Sequence, residues 1–281
     1  MKKTVNVLWT GGLDSTCRVV ELSTYDIIVQ PYYMLDKNRK SIKQELQAME
    51  SITKIIRNNP NTVCKLNDVI ITDIDTISKD SNITKAWQFI NSKYSLGIQY
   101  DWLARFAKQH NIQLEIGLEK SSRSKALMVL ESECKLKELD EDGITDYAID
   151  IQHSKEEASL LFENLLMPTT LWHMIKTHEV EEIKKLGYEE VVTKTWFCHT
   201  PIFGLPCGNC NPCKDALNED MAYRVPKLGI FLGTIRKNIL VYKKFLKSIS
   251  SPRTVRSSVP PPAKPPCGLV YWIASSATMS G

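Results

Sequence analysis

Val5-Asn6-Val7-Leu8-Trp9-Thr10-Gly11-Gly12-Leu13-Asp14-Ser15-Thr16-Cys17 is the stretch whose reading decides the fold. It opens on a short apolar run, meets paired glycines, and continues with Cys17, Val19, Val20 and Leu22 at helical spacing. The pattern is strand, glycine turn, helix. Two glycines let the backbone approach a ligand closely, and the helix behind them offers free N–H groups and the positive end of its dipole. Ser15 and Thr16 add hydroxyls. In an open α/β sheet this turn lies outside the carboxyl ends of the strands, where ligands bind.

Working outward, Ile27 to Leu35 forms a second apolar run, followed by polar Asp36 to Lys40 and then Ile42, Leu46, Met49, Ile52 and Ile55 at helical spacing. Val69 to Ile74 is a third run. Ile98, Trp102, Leu103 and Phe106 mark an amphipathic helix ahead of a strand at Leu114 to Gly117. Such alternation predicts an α/β fold with a parallel sheet covered on both faces. Glu119 to Ser159, rich in lysine and glutamate, reads as an exposed insertion or mobile loop. Val180 to Leu186 reads as a helix, with Glu179, Glu181 and Glu182 early, Lys184 and Lys185 late, and Gly187 as its stop. Met221 to Ile249 reads as helical and basic. From Ser250 onward six of the thirteen prolines occur without any acidic residue, so a disordered tail is expected.

The composition, 43% hydrophobic and 24% charged over 281 residues, excludes a collagen-like, coiled-coil or wholly disordered chain. The 36 basic and 32 acidic residues give +4. Three of the basic residues, Arg253, Arg256 and Lys264, lie in the acid-free tail, so the rest of the chain carries +1. That is too little to announce nucleic-acid binding. The first residues lack a secretory signal, and no apolar run nears the ~20 residues needed to span a bilayer. A cytoplasmic location without membrane attachment is expected, where clustered cysteines suggest metal or catalysis before disulfides.

Four of the eight cysteines, Cys198, Cys207, Cys210 and Cys213, form C-x8-C-x2-C-x2-C, with Gly208 and Pro212 bending the chain between them. C-x2-C spacing builds the compact knuckles that four thiolates need around one zinc ion, and a set supplying all four ligands suits a structural site. An iron–sulfur cluster is the competing reading. His199 adjoins Cys198, but adjacent residues rarely reach one metal together. Cys17, Cys64, Cys134 and Cys267 are scattered; Cys17 is expected to pack as a small apolar residue.

Gly11-Gly12-Leu13-Asp14-Ser15 after a first strand resembles the signature of the PP-loop ATP pyrophosphatases, usually written Ser-Gly-Gly-x-Asp-Ser, with Thr10 in the serine position. Together with the cysteine cluster it resembles, over most of residues 3 to 220, the 7-cyano-7-deazaguanine synthases of queuosine precursor synthesis. Leu166 to Lys176, the helix ending at Gly187, and Thr193 to Cys198 follow that family's order of substrate-side loop, lysine-bearing helix, strand and zinc loop.

The resemblance implies a Rossmann-like parallel sheet of the adenine nucleotide alpha hydrolase (PP-loop) type, with a C-terminal zinc-binding loop and helical segment. The implied domains are a nucleotide-binding α/β domain over 1–190, a zinc-binding and helical region over 191–249, and the proline-rich tail over 250–281. It implies ATP, Mg2+ and Zn2+ as cofactors. Thr10, Gly11, Gly12, Leu13, Asp14, Ser15 and Thr16 would cradle the nucleotide, with Asp14, Ser15 and Lys176 catalytic. The implied activity is that of an ATP-dependent carbon–nitrogen ligase. ATP would adenylate the carboxylate of 7-carboxy-7-deazaguanine or a related acid, releasing pyrophosphate, and ammonia or an amine, a protein's among them, would displace AMP. A homodimer is expected.

One departure bears on the acceptor. The family has Gly-x-Asn-x-x-Asp-Tyr-Ser-Gly-Tyr-Pro-Asp-Cys where this chain has Gly117-Leu118-Glu119-Lys120-Ser121-Ser122-Arg123-Ser124. Divergent relatives of these synthases occur in bacterial defence clusters, and resemblance to them would imply an activated acid joined to another molecule's amine instead of ammonia. Two rival readings remain open. One is a PP-loop tRNA-modifying enzyme, its phosphates held by Arg236, Lys237, Lys243, Lys244 and Lys247. The other is a non-catalytic, zinc-stabilised nucleotide-binding protein.

Overall fold

Strand β1 (Thr4–Leu8) and helix α1 (Leu13–Ser23) stand where the glycine-turn stretch predicts them. Val5, Val7 and Trp9 alternate into the core, and the buried Trp9 donates its indole N–H to Thr16 at 2.9 Å, tying strand to helix. The computed structural model of the protein describes residues 2–118, 124–218 and 220–250.

Next come β2 (Ile28–Leu35), α2 (Ile42–Asn58), β3 (Lys65–Leu66), β4 (Ile70–Asp73), α3 (Ser81–Tyr94), α4 (Gln99–His110) and β5 (Leu114–Glu115). Helix α3, not marked above although Ile83, Ala86 and Ile90 recur at helical spacing, begins where the Asp80 carboxylate accepts from the N–H groups of Asn82 and Ile83 at 3.0 and 3.2 Å.

The sheet runs β3-β2-β1-β5-β8-β7-β6, with β4 also pairing with β2; here β6 is Leu136–Glu141, β7 is Ile144–Ile149 and β8 is Leu165–Pro168. β1 pairs in parallel with β2 (Thr4 opposite Ile28, Leu8 opposite Tyr32) and with β5 (Asn6 opposite Leu114), and β5 continues in parallel to β8. The chain therefore moves away from β1 in one direction through β2 and in the other through β5. That topological switch point is where open sheets leave a crevice at their carboxyl ends.

The sheet is mostly but not wholly parallel, because β7 pairs antiparallel with both β8 and β6. This corrects the reading of Glu119 to Ser159 as loop. From Lys125 onward the segment is α5 (Lys125–Glu133), the β6–β7 hairpin and the first turn of α6 (Glu156–Phe162), while residues 119–123 lie outside the described set. The cause is local. β6 is an edge strand that carries Lys137, Glu138, Asp140 and Glu141, and charge on an edge strand resists sheet-to-sheet pairing while hiding the strand pattern.

The chain then forms α7 (Thr169–Trp172), α8 (Lys176–Lys185), α9 (Glu189–Lys194), α10 (Asn211–Asn218) and α11 (Lys227–Ser250). The strand expected within Thr193 to Cys198 is absent; α9 ends there and the backbone leaves as a loop. The helix expected from Met221 starts at Lys227 after a 3-10 turn at Ala222–Arg224, since Pro226 lacks an N–H and sits best just before a first helical turn. The tail beyond Ser250, with Cys267, lies outside the described residues.

Two apolar cores flank the sheet. One joins Val5, Val7 and Val29 to Ile52 and Ile56 of α2, Ile183 of α8 and Val191 of α9. The other joins Leu114 and Met167 to Ile83, Phe106, Val129 and Phe162 on α3 to α6. The result is a three-layer α/β/α arrangement with both sheet faces covered. Met1–Lys237 forms one compact unit; the described part of the second, from Asn238, is the distal half of α11. No helix among the described residues is long and apolar enough to cross a membrane.

Candidate nucleotide site and cysteine centre

The glycine turn ends β1 at the switch point. Gly11 has φ of +68°, a left-handed conformation that glycine adopts without strain. A Cβ there would also press to 3.1 Å against Ala48 and the Glu45 carbonyl of α2. The N-cap of α1 is Gly12, which has no capping side chain, and the first N–H of the helical ladder belongs to Thr16, donating to the Gly12 carbonyl at 3.0 Å. The N–H groups of Leu13, Asp14 and Ser15 thus precede the ladder. Gly117, just past β5, brings its backbone alongside: a Cβ would lie 3.5 Å from the Ser15 nitrogen.

This end of the sheet opens into a cavity of about 390 Å3 whose lining includes Thr10, Gly12, Leu13, Asp14, Ser15 and Lys176. Six of the proposed site residues therefore meet in one space. Gly11 shapes the turn from behind, and Thr16 is fully buried, its hydroxyl accepting from Trp9. Lys176 is the first residue of α8, where a cation opposes the helix dipole; it pairs with the Asp14 carboxylate and lies 3.8 Å from Glu179.

Two arginines share this cavity and escaped the sequence reading. Arg39 follows β2, its Nε 2.9 Å from Glu45, whose buried carboxylate also accepts from Tyr33 and Ser41 at 2.8 and 2.6 Å. Its position in the polar stretch directly after a strand was the available signal. Arg224 arrives from the 3-10 turn before α11 and has no such signal. His199, Asp215, Trp196 and Phe197 complete the side of the cavity contributed by the cysteine region. Burial and the Arg39 charge pull the His199 imidazole below its usual value.

The sulfur atoms of Cys198, Cys207, Cys210 and Cys213 all lie within 4.8 Å of one another. Zinc–sulfur bonds of ~2.3 Å at tetrahedral angles require a sulfur–sulfur edge of ~3.8 Å. The Cys198 and Cys210 sulfurs are 3.8 Å apart. The Cys198 sulfur accepts from the N–H of Cys207 at 3.2 Å, and the Cys207 sulfur from those of Asn209 and Cys210 at 3.4 Å each. Such N–H groups orient thiolates and offset their charge. The donor set fits one zinc ion, and His199 turns to the cavity instead of joining it. Cys17 is buried, its thiol pushed well up by burial, and burial likewise raises Cys134 to about 12 and Cys64 to about 11.

Backbone joins the two centres. The Trp196 N–H donates to the Gly11 carbonyl at 2.8 Å, and the Trp196 indole donates to the Cys198 carbonyl at 2.8 Å. One residue thus links the glycine turn to the first cysteine.

No protein-family model matches the chain, and no curated protein matches it. Among solved structures the chain is similar to a crystal structure of a 4-thiouridine synthetase–RNA complex with bound ATP, at 14% identity and a TM-score of 0.32. The match covers 83% of this chain and 53% of that one, so the chain spans about half the length of that structure. At this identity and TM-score the superposition is too loose to transfer a residue or an activity.

Proposed function

We propose that the protein is an ATP-dependent enzyme of the PP-loop type that activates a carboxylate by adenylation. The observation that carries this reading is the meeting, in one cavity, of an uncapped helix N-terminus, a Gly-Gly-x-Asp-Ser turn, and Lys176 drawn from a distant helix onto Asp14. Helix N–H groups and a lysine suit phosphate oxygens, and the switch-point crevice suits the rest of a nucleotide. The Asp14 carboxylate is suited to orient hydrated Mg2+ on the triphosphate, and zinc in the cysteine centre would hold the wall that faces it.

In the reaction an oxygen of the acid attacks the α-phosphorus of ATP, the bond to the β-phosphate breaks, and pyrophosphate leaves. Ammonia or an amine then adds to the acyl carbon, loses a proton and expels AMP. A carboxylate oxygen is a poor leaving group and AMP a better one, which is why the chemistry requires ATP. With ammonia, a second adenylation of the amide oxygen followed by elimination yields a nitrile. The proposed acid is 7-carboxy-7-deazaguanine or a related deazapurine acid; the proposed protein is cytoplasmic.

The test is incubation with ATP, Mg2+ and 7-carboxy-7-deazaguanine, with and without ammonia, reading AMP by chromatography and products by mass spectrometry. AMP formation that depends on the acid, with an amide or nitrile mass, is expected. Failure to form AMP or any adduct across a panel of acids and amines overturns the reading.

A further inference from the structure

The cavity lining carries three cations and three carboxylates: Arg39, Lys176 and Arg224 against Asp14, Glu45 and Asp215. Two of the cations are paired inside the protein, Arg39 with Glu45 and Lys176 with Asp14. Arg224 is held differently. Its Nη2 donates to the carbonyl and hydroxyl oxygens of Thr195 at 2.8 and 2.7 Å, and its guanidinium lies 4.6 Å from the Phe197 ring centroid. No carboxylate among the described residues lies within ion-pair distance of it, and its Nε and Nη1 donate to none of them. Burial pulls its pKa below the ordinary guanidinium value, opposed by the Asp14 carboxylate. A largely buried cation without an ion-pair contact among the described residues is costly, and an arginine anchored at one nitrogen presents its other donors in a fixed plane.

We infer that Arg224 is an oxyanion-binding residue of this cavity, presented by the cysteine region toward the glycine turn. Its ligand is a phosphate oxygen of the nucleotide or the carboxylate of the acid, each of which a guanidinium fork matches. The inference rests on the proposed function and deepens it. The neutral Thr195 tether fixes the arginine without neutralising it, whereas the ion-paired Arg39 gives up part of its field to Glu45.

Titration calorimetry of the metal-containing protein with Mg-ATP, inorganic pyrophosphate and 7-carboxy-7-deazaguanine separates the two sources. Arg224→Gln, checked for cysteine-bound metal and near-ultraviolet circular dichroism, should weaken binding about tenfold or more, a loss of ~1.4 kcal/mol. Loss confined to ATP and pyrophosphate assigns the contact to phosphate, and loss confined to the acid assigns it to the carboxylate; either supports the inference. Thr195→Val, which removes one anchor but keeps the cation, should bind within about threefold of wild type. Equal loss in Thr195→Val and Arg224→Gln would mean that Arg224 only props the loop, and would overturn the inference. If Arg224→Gln does not fold, Arg224→Lys decides: it keeps the charge but not the fork, and unchanged affinity overturns the inference. Wild-type protein that binds none of the three ligands overturns the functional reading as well, whereas binding left intact by Arg224→Gln overturns this inference alone.

Discussion

Lys176 begins α8 at a position where the helix dipole repels a cation, and its pairing with Asp14 and proximity to Glu179 offset that repulsion. A lysine held there against local preference is placed for the cavity. Lys176→Ala should lower the rate of AMP formation by about 100-fold or more, the range for loss of one electrostatic contact to a transition state. Single-turnover AMP release, with folding checked by thermal melting, tests this; a rate within a few-fold of wild type would remove Lys176 from the machinery. Asp14, Ser15 and the four cysteines are legible in the sequence because each lies in a short contiguous pattern. Arg39 and Arg224 are not, since their roles depend on loops that converge only after the sheet and the cysteine region have formed.

Among the elements, α11 shows how closely the cysteine loop is packed. A Cβ at Gly229 would lie 2.0 Å from the Pro206 carbonyl oxygen, and one at Gly233 would lie 1.9 Å from that of Cys207. These two glycines, one helical turn apart, admit the loop backbone against the helix. Gly233→Ala would ordinarily gain helix propensity of about 1 kcal/mol. Here it should instead displace the Cys207 carbonyl and cost metal retention, measured as zinc per chain after dialysis against a weak chelator. Retention equal to wild type would show that the loop has room.

A second element-level device is the buried Arg18 of α1. It contacts Glu115 of β5 at 2.7 Å, Asp146 of β7 at 3.3 Å and Glu21 at 2.9 Å, so three carboxylates surround one guanidinium. Burial and the neighbouring Glu115 push Asp146 up to about 7, against the pull of Arg18. An unfolded aspartate loses its proton near pH ~3.9. Between there and about pH 7 the folded chain retains a proton that the unfolded chain has lost, so this group makes stability fall as pH rises through the window. The slope is at most ~1.4 kcal/mol per pH unit and levels off above it. Asp146→Asn should flatten that component in urea melts from pH 5 to 8, and an unaltered slope would show that Asp146 is not the group responsible. Neither β7, which falls in the stretch read from the sequence as an exposed insertion, nor the cluster is legible there, because the cluster's members come from three separate elements.

At the scale of the whole molecule, the proposed metal centre and the proposed nucleotide site share a backbone. Trp196 bonds to the Gly11 carbonyl through its N–H and to the Cys198 carbonyl through its indole, while Arg224 is tethered one residue earlier, at Thr195. The four thiolates and one zinc ion would bring the chain without its tail from +1 to about −1, so the metal offsets half of the charge the sulfurs introduce. Removing it would leave thiols that no longer hold the loop at fixed distances, and Trp196 and Arg224 would loosen with it. Chelation followed by verified metal loss should lower the melting temperature, change Trp196 fluorescence and weaken Mg-ATP binding together, and zinc should restore all three. If the melting temperature falls while ATP affinity stays unchanged, the cysteine centre stabilises its own loop only. If neither changes, the four cysteines are not a structural metal site. The coupled loss is expected because the glycine turn, strained at Gly11 for any side chain larger than hydrogen, has its carbonyl fixed from the cysteine side by the Trp196 N–H.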